Sequence, residues 1–451
     1  MLFCKLKFNK NENEIPLIKA ILLFNKKIQI DNNKHFALVN VLTNKAIQKA
    51  LEIEKKVNKN TISQYPLYGF ILSVKECIKI QGHFSSCGLI NNLNPTKERT
   101  KFIEHLESQG AVILTRGNVP QMLFAMESCN NIFGSVKNPF DLNRSSGGSS
   151  GGDAALVSLK FVNNGIGSDA AGSIRIPSFF TGTYGFMITP NRIDLNTHSF
   201  MFENSEKCKQ VPDPAFKLKT SIGPISNNVE DLKILVKSII EYNNKCLTIP
   251  NISWNNKSFH FKKIGYIKEW DHMFKLPEVN KRAMKETIAA LTKINIECVE
   301  INFNEHVFDC ISIIIAIFYK GKSLTETMKG NFDIGEKTHI VYENIKKLTN
   351  LPGFLRKMAM IFLKDNMIKC VLNGYEYSLK YNSDYLYSKL IYFKNKFITI
   401  CKEKCVDAVL SYGMMPAVHL HKSNKTSLWA MYCFIFNGFK FPVGALPITN
   451  V

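Results

Sequence analysis

Residues 147–177 read GGSSGGDAALVSLKFVNNGIGSDAAGSIRIP: a Gly/Ser turn, an apolar stretch long enough for a short helix, and a second Gly/Ser turn ahead of Arg175. Each turn sets a serine beside flexible backbone. Together they offer what acyl transfer requires, a hydroxyl nucleophile and N–H groups near a developing oxyanion. The second turn fits the nucleophile better. Ser173 follows Asp169-Ala170-Ala171-Gly172, where small side chains let a carbonyl approach several consecutive amides. Read alone, such loops are also ordinary linkers or helix caps. Ser149 and Ser150 are N-cap candidates, because Asp153-Ala154-Ala155-Leu156-Val157-Ser158-Leu159 reads as a helix start.

Around this run the hydrophobic periodicity alternates between strand and helix. Residues 69–74 read as a strand, 97–109 as a helix, 111–115 as a strand, and 264–267 with 277–294 as another strand and helix pair. This pattern predicts an α/β class. A chain of 451 residues, 45% of them hydrophobic, can bury a sizeable core. No internal repeat, long low-complexity segment or linker divides it, and the most polar stretch, residues 204–219, reads as a surface loop or insert.

The net charge of +21 raises nucleic acid as a partner, but the lysines are spread along the chain and no nucleic-acid motif accompanies them. Binding to anionic membrane surfaces is the better use of that charge. Twelve cysteines are scattered, and only Cys401 and Cys405 fall close together, at a spacing that suits neither a zinc ribbon nor a thioredoxin motif. They read as reduced thiols of an intracellular protein, with no metal and no cofactor expected. Residues 1–10 lack a sustained apolar core, and the run at 21–24 is too short for a signal peptide. The longest apolar run, 311–318, is too short to cross a bilayer.

The 147–177 run resembles the signature sequence of the amidase signature family, and further matches follow in family order. Leu67-Tyr68-Gly69-Phe70-Ile71-Leu72-Ser73-Val74-Lys75-Glu76-Cys77 resembles the strand that delivers the family's catalytic lysine. Asn118-Val119-Pro120-Gln121, Ile132-Phe133-Gly134, Asn138-Pro139 and Phe441-Pro442-Val443-Gly444-Ala445-Leu446-Pro447-Ile448-Thr449 complete the series. The Leu-Tyr-Gly strand with Lys-Glu-Cys, and the Asn-Val-Pro-Gln segment, are most similar to the fatty-acid amide hydrolase branch. The resemblance implies an α/β amidase signature fold, a central twisted mixed β-sheet surrounded by α-helices, over residues 67–451, preceded by an amino-terminal helical segment at 1–66.

For the chemistry, the resemblance implies Ser173 as nucleophile, Ser149 as the bridging serine on a cis peptide, and Lys75 as terminal base. The backbone N–H groups of Ala170, Ala171, Gly172 and Ser173 would form the oxyanion hole. Asp169 and Arg175 would hold the loop, and Ser150 would support Ser149 by hydrogen bonding. A lone lysine normally reads as a surface residue, so the role of Lys75 comes from the resemblance. A triad without histidine is physically sound: a buried lysine loses solvation of its charged form, and the neutral amine accepts a proton relayed through Ser149.

The implied substrates are fatty-acid amides, N-acylethanolamines or primary amides, cleaved to fatty acid and amine, with Phe124 and Phe318 in the acyl-chain channel. Residues 351–372 fall where that branch has its membrane-binding cap. There Leu355, Met358, Ile361 and Phe362 share a helix face, while Arg356, Lys357 and Lys364 are set to meet lipid headgroups. A helix packed on the core carries the same stripe. The expectation is an intracellular enzyme, peripheral on the cytosolic face of endomembranes, without the amino-terminal transmembrane anchor of the branch's animal members. A homodimer is left open. Two other classes remain: another amidase signature enzyme, such as the glutaminase subunit of an amidotransferase, and a catalytically inactive lipid-binding relative.

Three departures from the family pattern stand out. Ala171 replaces the first of two glycines before the nucleophile, losing easy access to positive φ. Gly185-Phe186-Met187-Ile188-Thr189 stands where the family has Gly-Leu-Lys-Pro-Thr. The family also continues for several dozen residues past the Pro-Ile-Thr strand, so the resemblance implies a chain incomplete at the carboxyl end, with a strand left at an exposed apolar edge.

Overall fold

The computed structural model describes residues 17–97, 100–190, 192, 220–243, 254–255, 259–270, 273, 276–319, 332, 335–422 and 430–449. The polar stretch at 204–219 lies outside the described residues. In chain order the first half comprises α1 (Leu17–His35), β1 (Leu38–Val41), α2 (Thr43–Glu54), β2 (Ile71–Lys75), α3 (Lys101–Ser108), β3 (Val112–Gly117), the short hairpin β4 (Cys129–Asn130) and β5 (Gly134–Ser135), α4 (Gly151–Ser158), β6 (Asn164–Asp169), α5 (Arg175–Thr181), β7 (Tyr184–Met187), β8 (Ser221–Ser226) and α6 (Val229–Asn243). The second half comprises β9 (Lys263–Tyr266), α7 (Glu278–Lys293), β10 (Glu297–Glu300), α8 (Asn304–Tyr319), α9 (Ile340–Thr349), α10 (Gly353–Phe362), α11 (Asn366–Lys380), α12 (Ser383–Glu403), β11 (Ala408–Leu410), α13 (Met431–Gly438) and β12 (Val443–Ala445).

Seven strands form one mixed sheet in the order β1-β3-β2-β6-β8-β7-β12. β3, β2 and β6 run parallel, and the remaining pairings are antiparallel. Its central strands read as nearly unbroken apolar or small residues because helices cover both faces. Alternation then sorts the side chains. Ile71, Val112, Leu114 and Ile225 pack with α1, α2 and α4 on one face. Leu72, Val74, Ile113, Ile166 and Ile222 pack with α3 and α6 on the other. The α/β class expected from periodicity is therefore the observed one, with helix 97–109 trimmed to α3 and strand 69–74 realised as β2.

The amino-terminal segment differs from the expected run of helices. Between α1 and α2 it supplies β1, which pairs antiparallel with β3 at the sheet edge. Leu38 and its neighbours find donors and acceptors there that a helix would otherwise have to provide internally.

A second layer grows around α8, whose sequence is apolar on nearly every face and is accordingly buried on nearly every face. Residues of α11, α12 and α13 surround it in a single core cluster. A Cβ at Gly374 would lie 2.6 Å from Ile315, so glycine permits the close approach of α11 to α8. A small parallel sheet, β10-β9-β11, borders this layer.

Candidate active site

Because side chains alternate along β2, Leu72 and Val74 face α3 while Ser73 and Lys75 face α4. Lys75 is buried, at 1% exposure. Its ammonium nitrogen lies 2.8 Å from Ser149 Oγ, 2.9 Å from Ser168 Oγ and 3.1 Å from the Ser168 carbonyl. Burial lowers its pKa from the usual lysine value, against the opposing pull of Cys77, Asp153 and Asp169. Burial therefore favours the neutral amine of Lys75 relative to an exposed lysine.

Ser149 and Ser150 end the first turn, both buried, with a cis peptide between Gly148 and Ser149. The Ser150 N–H donates to the Ser173 carbonyl at 3.0 Å, which sets the two Gly/Ser turns side by side. Ser150 was expected to brace Ser149. Its hydroxyl instead bonds β6, donating to the Ser168 carbonyl at 3.3 Å and accepting from the Ser168 N–H at 3.4 Å. Ser173 is half-buried, the most exposed of the three serines.

The positive φ required by the second turn falls on Gly172, at 108°, and not on Ala171. Alanine at 171 therefore carries no backbone strain, whereas a Cβ at Gly172 would come within 2.7 Å of Cys433. The Gly172 N–H already donates to Asp169 Oδ1 at 2.7 Å. That corrects the expectation of four oxyanion donors: the amide committed to the carboxylate leaves Ala170, Ala171 and Ser173.

Asp169 is the fixed point of this turn. It accepts from the Gly172 and Ile174 amides, from Arg175 through two nitrogens at 2.9 and 3.0 Å, and from Asn437 at 3.0 Å. Burial by itself would raise its pKa, but the Arg175 guanidinium, Asn437 and the Gly172 amide outweigh that and hold the carboxyl below the usual range. Arg175 also donates to the Cys433 carbonyl and to Asn437. The departure at Met187 fits this clamp, since its buried sulfur lies 3.0 Å from the Asn437 amide nitrogen.

Phe124 and Phe318, distant in sequence, stack with ring centroids 4.7 Å apart and an interplanar angle of 17°. Both are partly buried against the α8 core. In α10, Phe354, Met358, Ile361 and Phe362 are exposed, Ile361 by 72% and Phe362 by 75%. Arg356, expected to meet headgroups, is instead buried. It pairs with Glu376 at 2.6 Å, bonds the Thr349 carbonyl and stacks on Tyr375. The end of the 351–372 segment turns inward as well, where Met367, Val371 and Leu372 are buried at the start of α11. No helix among the described residues is long and apolar enough to cross a membrane.

Three participants escaped the sequence reading. Ser168 contacts Lys75, Asp153 bonds Ser73 at 2.5 Å, and Asn437 locks Asp169 to Arg175. Ser168 and Asp153 lie inside the 147–177 run, where they read locally as part of a Gly/Ser turn and of a helix start. Asn437 carried no local signal, being more than 250 residues from its partners in the chain.

Comparison with known proteins agrees with this architecture. A model of the Amidase family matches residues 19–449. An amidase of Gibberella moniliformis is 35% identical over 244 residues, which is 52% of this chain and 44% of that protein. Fatty-acid amide hydrolase 1 of Sus scrofa is 27% identical over 431 residues, covering 90% of this chain and 71% of the relative. The chain thus spans less than half of the fungal relative's length. A solved structure of a fatty acid amide hydrolase superposes with a TM-score of 0.75 at 19% identity, covering 96% of this chain and 70% of the other. With nearly the whole chain matched by the family model, this protein belongs to the amidase family, and its fold is the amidase signature fold.

Proposed function

We propose that the protein is a serine hydrolase that cleaves fatty-acid amides at a membrane surface. The observation that carries this reading is the contact of a buried lysine with Ser149, at 2.8 Å, on a turn hydrogen-bonded to the one that holds Ser173. Neutral Lys75 takes the Ser149 proton as Ser149 takes that of Ser173, and the Ser173 oxygen attacks the amide carbon. The amides of Ala170, Ala171 and Ser173 receive the oxyanion. Collapse breaks the C–N bond, with the relayed proton going to the leaving amine. Water then repeats the sequence on the acyl-enzyme, releasing the acid and free Ser173.

The stacked Phe124 and Phe318 offer an apolar wall to an acyl chain, and the exposed face of α10 offers a membrane contact through Phe354, Met358, Ile361 and Phe362. Lys357 and Lys364 are left for anionic headgroups once Arg356 is committed internally. We place the enzyme on that account as a peripheral membrane protein. Ile361→Glu with Phe362→Glu is expected to weaken co-sedimentation with phosphatidylserine vesicles by about tenfold or more, since each buried apolar side chain is worth about 1.5–3 kcal/mol. Unchanged sedimentation would remove α10 from the membrane contact.

The deciding experiment treats the full chain with a fluorophosphonate probe, maps the labelled peptide by mass spectrometry and follows oleamide hydrolysis in parallel. Label on Ser173 with oleamide turnover is the expected result. Label on Ser173 with ammonia released from glutamine and no oleamide turnover would reassign the substrate class. A folded protein that takes no label would be the inactive lipid-binding relative.

A further inference from the structure

Asp153 is the third residue of α4, fully buried beneath the sheet, and the relay described above makes no use of it. Its Oδ1 accepts a 2.5 Å hydrogen bond from Ser73, two residues before Lys75 on the same face of β2. Its Oδ2 is buried and has no hydrogen-bond partner. The pocket is closely shaped around the carboxyl, for a Cβ at Gly117 would lie 2.4 Å from Oδ1. An acid so enclosed is poorly placed for a merely structural role, which would saturate both oxygens.

We propose that Asp153 is a positioning residue of the Lys75 relay, whose carboxylate, oriented by Ser73, governs how firmly the lysine holds its proton. This rests on the assignment of Lys75 as the base. Burial pushes the Asp153 carboxyl up to about 7, with Ser73 and Lys75 pulling the other way, so its charge changes where an enzyme works. The other groups acting on the lysine are Cys77 just after β2, Cys87 from the following loop and Asp169 at the end of β6, while Arg116 of β3 acts on Glu76, Cys77, Cys87 and Asp153 itself. Glu76 is tied to the Ser86 and Cys87 amides, Arg116 to backbone carbonyls and Asp169 to Arg175. Of the carboxylates around Lys75, Asp153 has the Ser73 hydroxyl as its side-chain partner and no guanidinium bonded to it, Arg116 acting on it only through space, and its charge opposes deprotonation of the lysine. Removing that charge makes the lysine release its proton more readily, so the acid limb of the activity profile moves to lower pH.

The test is the rate of fluorophosphonate labelling of Ser173 against pH, in the full chain, for wild type, Asp153→Asn and Ser73→Ala. Asp153→Asn is expected to move the acid limb down by about one pH unit. Ser73→Ala keeps the carboxyl but removes the bond that favours its charge, and is expected to move the limb the same way by less. Limbs that superimpose on wild type in folded variants would overturn the proposal while leaving the relay intact. Full labelling of Lys75→Ala would instead overturn the relay itself. Should Asp153→Asn fail to fold, Ser73→Ala carries the same decision alone.

Discussion

Lys75→Ala is expected to lower amide hydrolysis on the order of 10³-fold, the range in which a positioned proton acceptor acts. Burial is the cause. A free amine would be protonated at neutral pH and useless as a base, but Lys75 is enclosed by β2, β6 and the Ser149 turn, and the loss of solvation favours its neutral form. With the amine removed, Ser149 has no acceptor behind it and Ser173 must lose its proton to water. Activity of the wild type should fall as pH drops through the lowered lysine pKa, whereas the residual rate of the variant should lack that limb. If the three residues act as the proposed unit, Lys75→Ala combined with Ser173→Ala should be no worse than the single Ser173 change. Steady-state oleamide hydrolysis across pH checks each point, and a Lys75→Ala enzyme with full turnover at neutral pH would sink the relay.

Asp169→Asn is expected to destabilise the protein by about 3–5 kcal/mol, as breaking a buried ion pair does. Arg175 cannot shed its charge, so the variant buries a guanidinium bonded to the Cys433 carbonyl and Asn437 without its carboxylate. The neutral amide also brings a donor toward the Gly172 or Ile174 N–H groups that Asp169 now accepts. The pH dependence has a definite sign. Asp169 has a native pKa held below its unfolded value of about 3.9, so its contribution is full above that value and is lost as pH falls through the native one. The gap between wild type and variant should therefore be constant near neutral pH and narrow in acid. Urea unfolding midpoints at several pH values measure it, and an equal gap at pH 7 and pH 2 would exclude the ion pair as its cause.

The local geometry of the site was legible where neighbours in sequence make it. The two Gly/Ser turns, the helix between them and the β2 strand were read from residue order, because turns, caps and strand alternation depend on a few consecutive residues. The same reading erred where a residue's environment is supplied from far along the chain. Arg356 looked like a headgroup ligand until Glu376 and Tyr375 took it, and Gly172 looked like an oxyanion donor until Asp169 took its amide. Residues 1–66 looked helical, yet β1 completes a sheet whose next strand begins at Val112.

By itself the sequence determined the alternating α/β class, the two small-residue turns and a strand at 69–74 ahead of them, since each is a matter of local periodicity and side-chain size, while the reading of Lys75 beside that strand came from the family resemblance. Only the tertiary structure decided that Lys75 meets Ser149 across 74 residues, that Asp153 shares its face of the sheet, that Phe124 stacks on Phe318, and that Asn437 closes the Asp169 clamp. Those contacts join segments tens to hundreds of residues apart. The physical reason is that burial, which lowers the lysine pKa and raises that of Asp153, belongs to the packed sheet and helices around a residue and to no stretch of chain alone.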